Sequence, residues 1–158
     1  MSPMSESVFK RVEQLLKLRN ITFDVLRHEP VYTSQEAAEI RGVALSSGAK
    51  ALICKGEDRF VMFVIPADRK LASRKIRRMY GWRKLRFANR DEVLTLTELT
   101  PGSIPPFGSL FGLSTFCDEK LSENTTINFN AGDHTISVSM RYVDYLDAEQ
   151  PEVGSFAE

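Results

Sequence analysis

Apolar residues at Val8, Phe9, Val12, Leu15 and Leu16 recur every three or four positions, which predicts an amphipathic helix over 6–18. ITFDVL (21–26) reads as a short strand. In TSQEAAEIRG, Thr33 and Glu36 stand in capping-box positions and Gly42 is a stop, so a second helix follows. AKALIC (49–54) and RFVMFVIP (59–66) are apolar runs that hardly alternate, the mark of strands buried on both faces, and KGEDR joins them tightly. A helix is predicted from Ser73 to Tyr80, closed by Gly81, then a strand at KLRFA and a helix capped by Asp91 that runs to about Leu99. Pro101 and Gly102 end it and open a loop. SLFGLSTFCD (109–118) reads as a strand with a bend. TTINFN and TISVSMRY alternate cleanly, with Ile127 and Phe129, then Ile136, Val138, Met140 and Tyr142, on single faces, and AGDH between them fits a hairpin. PEVGSFAE (151–158) is expected to fray.

These elements describe a mixed α/β (α+β) chain: one compact domain over 1–150, with a mixed, largely antiparallel sheet and flanking helices. No internal repeat or low-complexity tract interrupts it. Length and composition agree, since 158 residues with 42% apolar and 27% charged side chains suit one soluble domain. No stretch approaches the ~20 apolar residues of a membrane span, so no membrane partner is expected. The N-terminal MSPMSESVFKRVEQ lacks the apolar core of a signal peptide, and a cytoplasmic location is expected.

Net charge is zero, from 21 basic and 21 acidic residues, but the distribution is uneven. Ten basic residues and no acidic one lie between Asp68 and Asp91, among them Arg74, Lys75, Arg77, Arg78, Arg83 and Lys84, with Tyr80 and Trp82 interleaved. Such a run is usually a solvated helix face. Unscreened by acids and mixed with aromatics, it also suits a polyanion partner, because phosphates and stacked bases take these residue types.

Several chemistries are excluded by what is missing. No GxSxG elbow, Walker loop or GxGxxG motif appears. Cys54 and Cys117 sit in apolar stretches without a CxxC and read as buried, reduced packing residues. With only His28 and His134 besides, no metal site or cofactor is expected. What remains is a set of positioning groups: Lys50 at the start of a buried strand, the loop GSIPPFG (102–108), and the two histidines. Taken singly, Lys50 reads as a strand-edge lysine, His28 as a turn residue and His134 as part of a solvated hairpin.

In chain order, HEPVYTSQEAAEIRGVALSSGAKALICKG, FVMFVIPADRKL, PGSIPPFG and NFNAG resemble the YbaK/prolyl-tRNA synthetase-associated editing domain family over about residues 22–145. The most specific elements are the strand lysine and the G-x-x-x-P loop, here Gly102 to Pro106 followed by Phe107 and Gly108. The resemblance implies a YbaK-like fold and a trans-acting hydrolase that removes amino acids wrongly attached to tRNA, notably alanine or cysteine on proline tRNA. It implies mischarged tRNA, held at its acceptor end, and prolyl-tRNA synthetase as partners. No covalent protein nucleophile is implied. Lys50 would meet the terminal phosphate or polarise the ester. The amides of Gly102, Ser103 and Ile104 would orient the ester and its oxyanion, while Pro105 and Pro106 hold the loop's shape. A ribose hydroxyl of the substrate would help activate water. His28, Tyr32, Pro106, Phe107, Gly108 and His134 are expected to border the substrate, and Arg74, Lys75, Arg77, Arg78, Arg83 and Lys84 to hold the tRNA. Two departures stand out: Pro105 doubles the loop's proline, and the 69–90 segment is more basic than the fold requires. The alternatives are a non-catalytic tRNA-binding or synthetase-associated module of the same fold, and hydrolysis of a different small acyl ester. Lys50 and the intact G-x-x-x-P pattern favour catalysis.

Overall fold

The two longest apolar runs pair with each other. Strands β2 (Ala49–Gly56) and β3 (Arg59–Pro66) form an antiparallel hairpin in register from Ala49 opposite Pro66 to Gly56 opposite Arg59. The structure, a computed structural model, describes residues 3–158, with side chains from Ser7 onward. Met1 and Ser2, the start of the segment read above for a signal peptide, lie outside the described residues.

The lack of alternation in β3 has a direct cause. Val61, Phe63 and Ile65 point into one apolar cluster with Ile76, Phe116 and Phe156, while Met62 and Val64 point into the larger one on the opposite face. Each fully buried side chain of this kind stabilises the fold by about 1.5–3 kcal/mol. The larger cluster is closed by Val8, Phe9, Val12 and Leu16 of α1 (Pro3–Leu18). Ile127, Phe129, Val138 and Met140 close it from a second sheet.

That second sheet corrects the expectation of one. Strands β1 (Phe23–Arg27), β6 (Thr126–Asn130) and β7 (Ile136–Arg141) form an antiparallel sheet in the order β1-β7-β6. The other sheet runs β4-β2-β3-β5-β8, with β4 (Leu85–Phe87) antiparallel to β2, and β5 (Ser114–Asp118) and β8 (Glu152–Gly154) added in parallel. A single parallel bridge between Gly48 and Asn128 joins the two.

The helices follow their end signals. In α2 (Ser34–Arg41) Thr33 and Glu36 form the capping box and Gly42 is the left-handed cap, and α3 (Ser73–Tyr80) stops at Gly81. For α4 (Arg90–Thr97) the cap is Asn89, not Asp91: Asn89 accepts from the Glu92 amide at 2.8 Å and the Glu92 carboxylate accepts from the Asn89 amide at 2.9 Å. Asp91 instead occupies the first turn, where its charge complements the helix dipole. The bend expected within 109–118 is a 3-10 turn over Gly108–Phe111.

Two C-terminal features differ from expectation. Tyr142 opens a helix, α5 (Tyr142–Glu149), and does not continue β7; Tyr142, Tyr145 and Ala148 bury one face of it. The tail does not fray. Asp118, itself buried, accepts the amides of Phe156 and Ala157 at 2.7 and 2.8 Å, and Phe156 is 1% exposed among Phe63, Tyr80 and Phe116. An eight-residue stretch with one aromatic hides this anchoring, because the residues that hold it lie far upstream.

Candidate active site

Where the two sheets meet, a cavity of about 530 Å³ opens between α2, the start of β2, the end of β6 and the loop after α4. Gly48 forms part of its wall: a Cβ there would stand 2.9 Å from the Ala67 Cβ, so only glycine lets the backbones approach. Lys50 lines the cavity from β2, opposite Ile65 in the hairpin. Its ammonium is exposed and has no ion pair or hydrogen bond among the described residues. Gly102 and Ile104 line the same cavity, as do Tyr32 and Arg41.

The 102–108 loop divides into two halves with different work. In the front half Gly102 has φ +91, a conformation that L side chains rarely adopt. The amides of Gly102 and Ile104 meet no acceptor among the described residues, which leaves both donors unspent. Ser103 does not join them. Its amide and hydroxyl both donate to the Thr100 carbonyl, at 3.3 and 2.9 Å, closing a turn that buries the residue.

The back half is an anchor, and Pro106, Phe107 and Gly108, expected to border the substrate, do not line the cavity. The Phe107 amide donates to the Pro105 carbonyl at 2.8 Å, a γ-turn centred on Pro106, whose fixed φ lies close to what that turn needs. The Pro106 carbonyl accepts from the Tyr145 hydroxyl at 2.7 Å. Phe107 is fully buried, edge-on to Phe129 and Tyr145 with ring centroids 5.6 and 5.3 Å away. The Gly108 amide donates to Thr115 Oγ1 at 3.0 Å. None of these three residues reaches the cavity.

The histidines lie behind the wall. His134 Nδ1 donates to the Val31 carbonyl at 3.0 Å, so Nε2 of the neutral ring accepts from the Thr100 hydroxyl at 3.2 Å. Its ring packs against Tyr32 at 4.8 Å between centroids and supports Gly102 from behind. His28 is bound to the Glu29 carbonyl and the Ser137 hydroxyl, both at 2.7 Å, and does not line the cavity.

Arg41, which the sequence reading passed over, does line it. Burial pushes its guanidinium pKa down to about 10. In sequence Arg41 reads as an ordinary basic residue in a helix's last turn, and nothing local distinguishes it.

Among the described residues no aspartate or glutamate lines the cavity, and no group of three potential metal ligands is present. Cys54 and Cys117 are free and lie elsewhere, and burial pushes both thiols up to about 12. The chemistry available is therefore cationic and amide-based: Lys50, Arg41 and two free backbone N–H groups around a space that admits water. Such a site stabilises an anion or developing oxyanion and supplies no carboxylate base.

The end of the basic segment reaches this cavity, while α3 packs through Ile76 on the opposite face of the five-stranded sheet. Phe87 and Ala88, at and just beyond the end of β4, line the cavity rim, and the Phe87 ring is 57% exposed. Arg74, Lys75 and Arg78 are exposed on α3, and Arg83 and Lys84 follow on the approach to β4. Arg77 is half-buried and reaches the Arg83 carbonyl at 3.4 Å, and Lys75 bonds the Ser155 hydroxyl. The charged ends of Arg74, Arg78, Arg83 and Lys84 have no partner among the described residues. The interleaved aromatics are not free for bases, however. Tyr80 and Trp82 stack on each other at 5.1 Å, Trp82 covers Gly56, and the Tyr80 hydroxyl donates to Glu152.

Residues 28–148 match the aminoacyl-tRNA editing domain family, and this span holds every element of the cavity described above. The chain belongs to that family. The chain is 36% identical over 152 residues to the multifunctional Ser/Thr-tRNA deacylase ProXp-y of Escherichia coli K12, covering 93% of this chain and 91% of that protein. It is 30% identical over 112 residues to a proline–tRNA ligase of Trichlorobacter lovleyi, covering 65% of this chain and 19% of the ligase. Among solved structures, a candidate trans-editing enzyme for prolyl tRNA synthetase superposes with a TM-score of 0.85 at 25% identity, over 100% of this chain and 99% of that one. No described helix is long and apolar enough to cross a membrane.

Proposed function

We propose that this editing domain is a trans-acting deacylase that hydrolyses the ester of a small hydroxyl-bearing amino acid, serine or threonine, on mischarged tRNA. The observation that carries the reading is the meeting of Lys50 with the free amides of Gly102 and Ile104 on one cavity. An aminoacyl ester is already activated, so it needs to be held, wetted and stabilised as its carbonyl becomes an oxyanion. Positioning alone supplies up to about 7–11 kcal/mol of such a barrier. The Gly102 and Ile104 amides receive the carbonyl oxygen. Lys50 neutralises the terminal phosphate or the developing charge. With no carboxylate on the wall among the described residues, the ribose hydroxyl beside the ester serves to position the attacking water.

The choice of amino acid rests on the polar wall. Ser34 and Gln35 line the cavity, have no side-chain partner among the described residues, and offer hydrogen bonds that an alanine or cysteine side chain leaves unmade. The name of the Escherichia coli relative points the same way. The resemblance noted at the outset favours alanine or cysteine, so the two expectations compete directly. Prolyl-tRNA synthetase is retained as a partner that would deliver the mischarged tRNA.

Release of amino acid from serine-, threonine-, alanine- and cysteine-charged tRNA tests this. The expected result is release of serine and threonine at least ~10-fold faster than alanine. Faster release of alanine or cysteine would contradict the selectivity. Binding of all four tRNAs with no release would establish the non-catalytic alternative.

A further inference from the structure

The geometry points to Arg41 as a positioning residue for ester hydrolysis, acting through Asn130 on the Gly102 carbonyl and so on the direction of the loop's free amides. The inference rests on the reading of this cavity as the ester site.

The Arg41 guanidinium, at the end of α2, donates from Nε to Ser137 Oγ at 2.8 Å and from an Nη group to Asn130 Oδ1 at 2.8 Å. Asn130 Nδ2 then donates to the Gly102 carbonyl at 2.7 Å. The order of these contacts matters. An asparagine amide has an oxygen end and a nitrogen end of nearly equal size, and only its hydrogen bonds decide which way it faces. Arg41 has no acceptor, so it draws Oδ1 toward itself and leaves Nδ2 facing the loop. Without Arg41 the amide is free to turn, and the opposite orientation would set two carbonyl oxygens against each other.

The loop needs this hold. Gly102 sits at φ +91 without a side chain to restrict it, so its peptide planes are fixed from outside. Two contacts do so, and both come from the β6–β7 hairpin. Asn130 fixes the Gly102 carbonyl, and the Gly132 amide donates to the Ser103 carbonyl at 2.8 Å. In a planar trans peptide the N–H points opposite the carbonyl. Holding the Ser103 carbonyl against Gly132 therefore directs the Ile104 amide away from the hairpin. Holding the Gly102 carbonyl fixes the plane between Gly102 and Ser103, which sets how the Gly102 and Ile104 amides lie relative to each other.

The chain of donors is consistent to its outer end. Ser137 accepts from Arg41, so its own proton goes to His28 Nε2 at 2.7 Å, while His28 Nδ1 donates to the Glu29 carbonyl at 2.7 Å. This gives His28 a place as the outer support of Arg41. Arg41 has no carboxylate partner among the described residues, although burial lowers its pKa. A purely structural guanidinium in such a place is ordinarily paired with an acid. Here it holds a serine and an asparagine whose other contacts lead to the loop.

The test is a double-mutant cycle on seryl-tRNA hydrolysis with Arg41→Ala, Asn130→Ala and the double variant, each checked for a thermal midpoint within ~3 °C of the parent. The expected result is a fall in kcat of about 100-fold for each single variant, with KM within about twofold. The double variant should fall no further than the weaker single one. Methylguanidinium should restore the rate of Arg41→Ala and leave Asn130→Ala unchanged. Arg41→Lys, which keeps the charge and loses the two-pronged donor, should also be slow, and serves if Arg41→Ala does not fold. Additive losses, or a loss confined to KM, would overturn the proposal, the latter by showing that Arg41 binds substrate directly. So would full activity of Arg41→Ala while Lys50→Ala is inactive. Full activity of Lys50→Ala would instead remove the site on which the proposal rests, and the proposal with it.

Discussion

Gly102 shows how much of this site depends on one backbone angle. At φ +91 its carbonyl reaches Asn130 and its amide meets no acceptor among the described residues, while the space behind it is filled by His134, whose Cε1 lies 3.4 Å from where a Cβ would stand. Gly102→Ala should therefore strain the loop by about 1–3 kcal/mol and turn both donors off target. Urea denaturation and single-turnover hydrolysis together check this. The rate should fall by more than ~10-fold even where the protein remains folded. An alanine variant with parental rate would show that the loop's amides do not serve the reaction. The glycine was legible in sequence as a flank of a proline-stiffened loop. That Ser103 turns inward was not, because its partner, the Thr100 carbonyl, is a backbone atom that no side-chain pattern announces.

At the scale of elements, local signals carried most of the reading, although the complete Asn89/Glu92 box was displaced onto Asp91. The Thr33/Glu36 box with Gly42, the Ser73–Tyr80 helix with Gly81 and the unalternating β2–β3 pair all lie within a few residues of the cues that predict them. Expectation failed where two local patterns run together or where the deciding partner is remote. Helix α5 follows directly on β7, so Tyr142 continues an apolar alternation and masks the start of a helical one. Strand β8 is held by β5 and Asp118, more than thirty residues upstream. The anchored tail gives a clear expectation: Phe156→Ala should cost about 3–5 kcal/mol, as for any fully buried phenylalanine. A frayed tail would make it neutral to within about 0.5 kcal/mol in equilibrium unfolding. The same remoteness hid Arg41, at the end of α2, whose partners Asn130 and Ser137 lie on β6 and β7.

For the whole molecule, two sheets joined at Gly48 and Asn128 leave a cavity at their junction, with unpaired basic side chains on the segment that runs to its rim. If that segment holds tRNA phosphates, affinity falls steeply with salt, with a slope of about 0.7–0.9 in log affinity per phosphate. Arg74→Ala with Arg78→Ala should lower the slope by about 1.5 and leave kcat at saturating tRNA nearly intact. An unchanged slope would return these arginines to a solvated face. Both binding and hydrolysis converge on Lys50, the one cation of the cavity wall that neither bonds nor pairs among the described residues. The rate of serine release from mischarged tRNA by Lys50→Ala, set against the parent at saturating substrate, tests the account most directly. An oxyanion or phosphate held by Lys50 predicts a fall of about 100- to 1,000-fold with the thermal midpoint preserved; hydrolysis at the parental rate would contradict it.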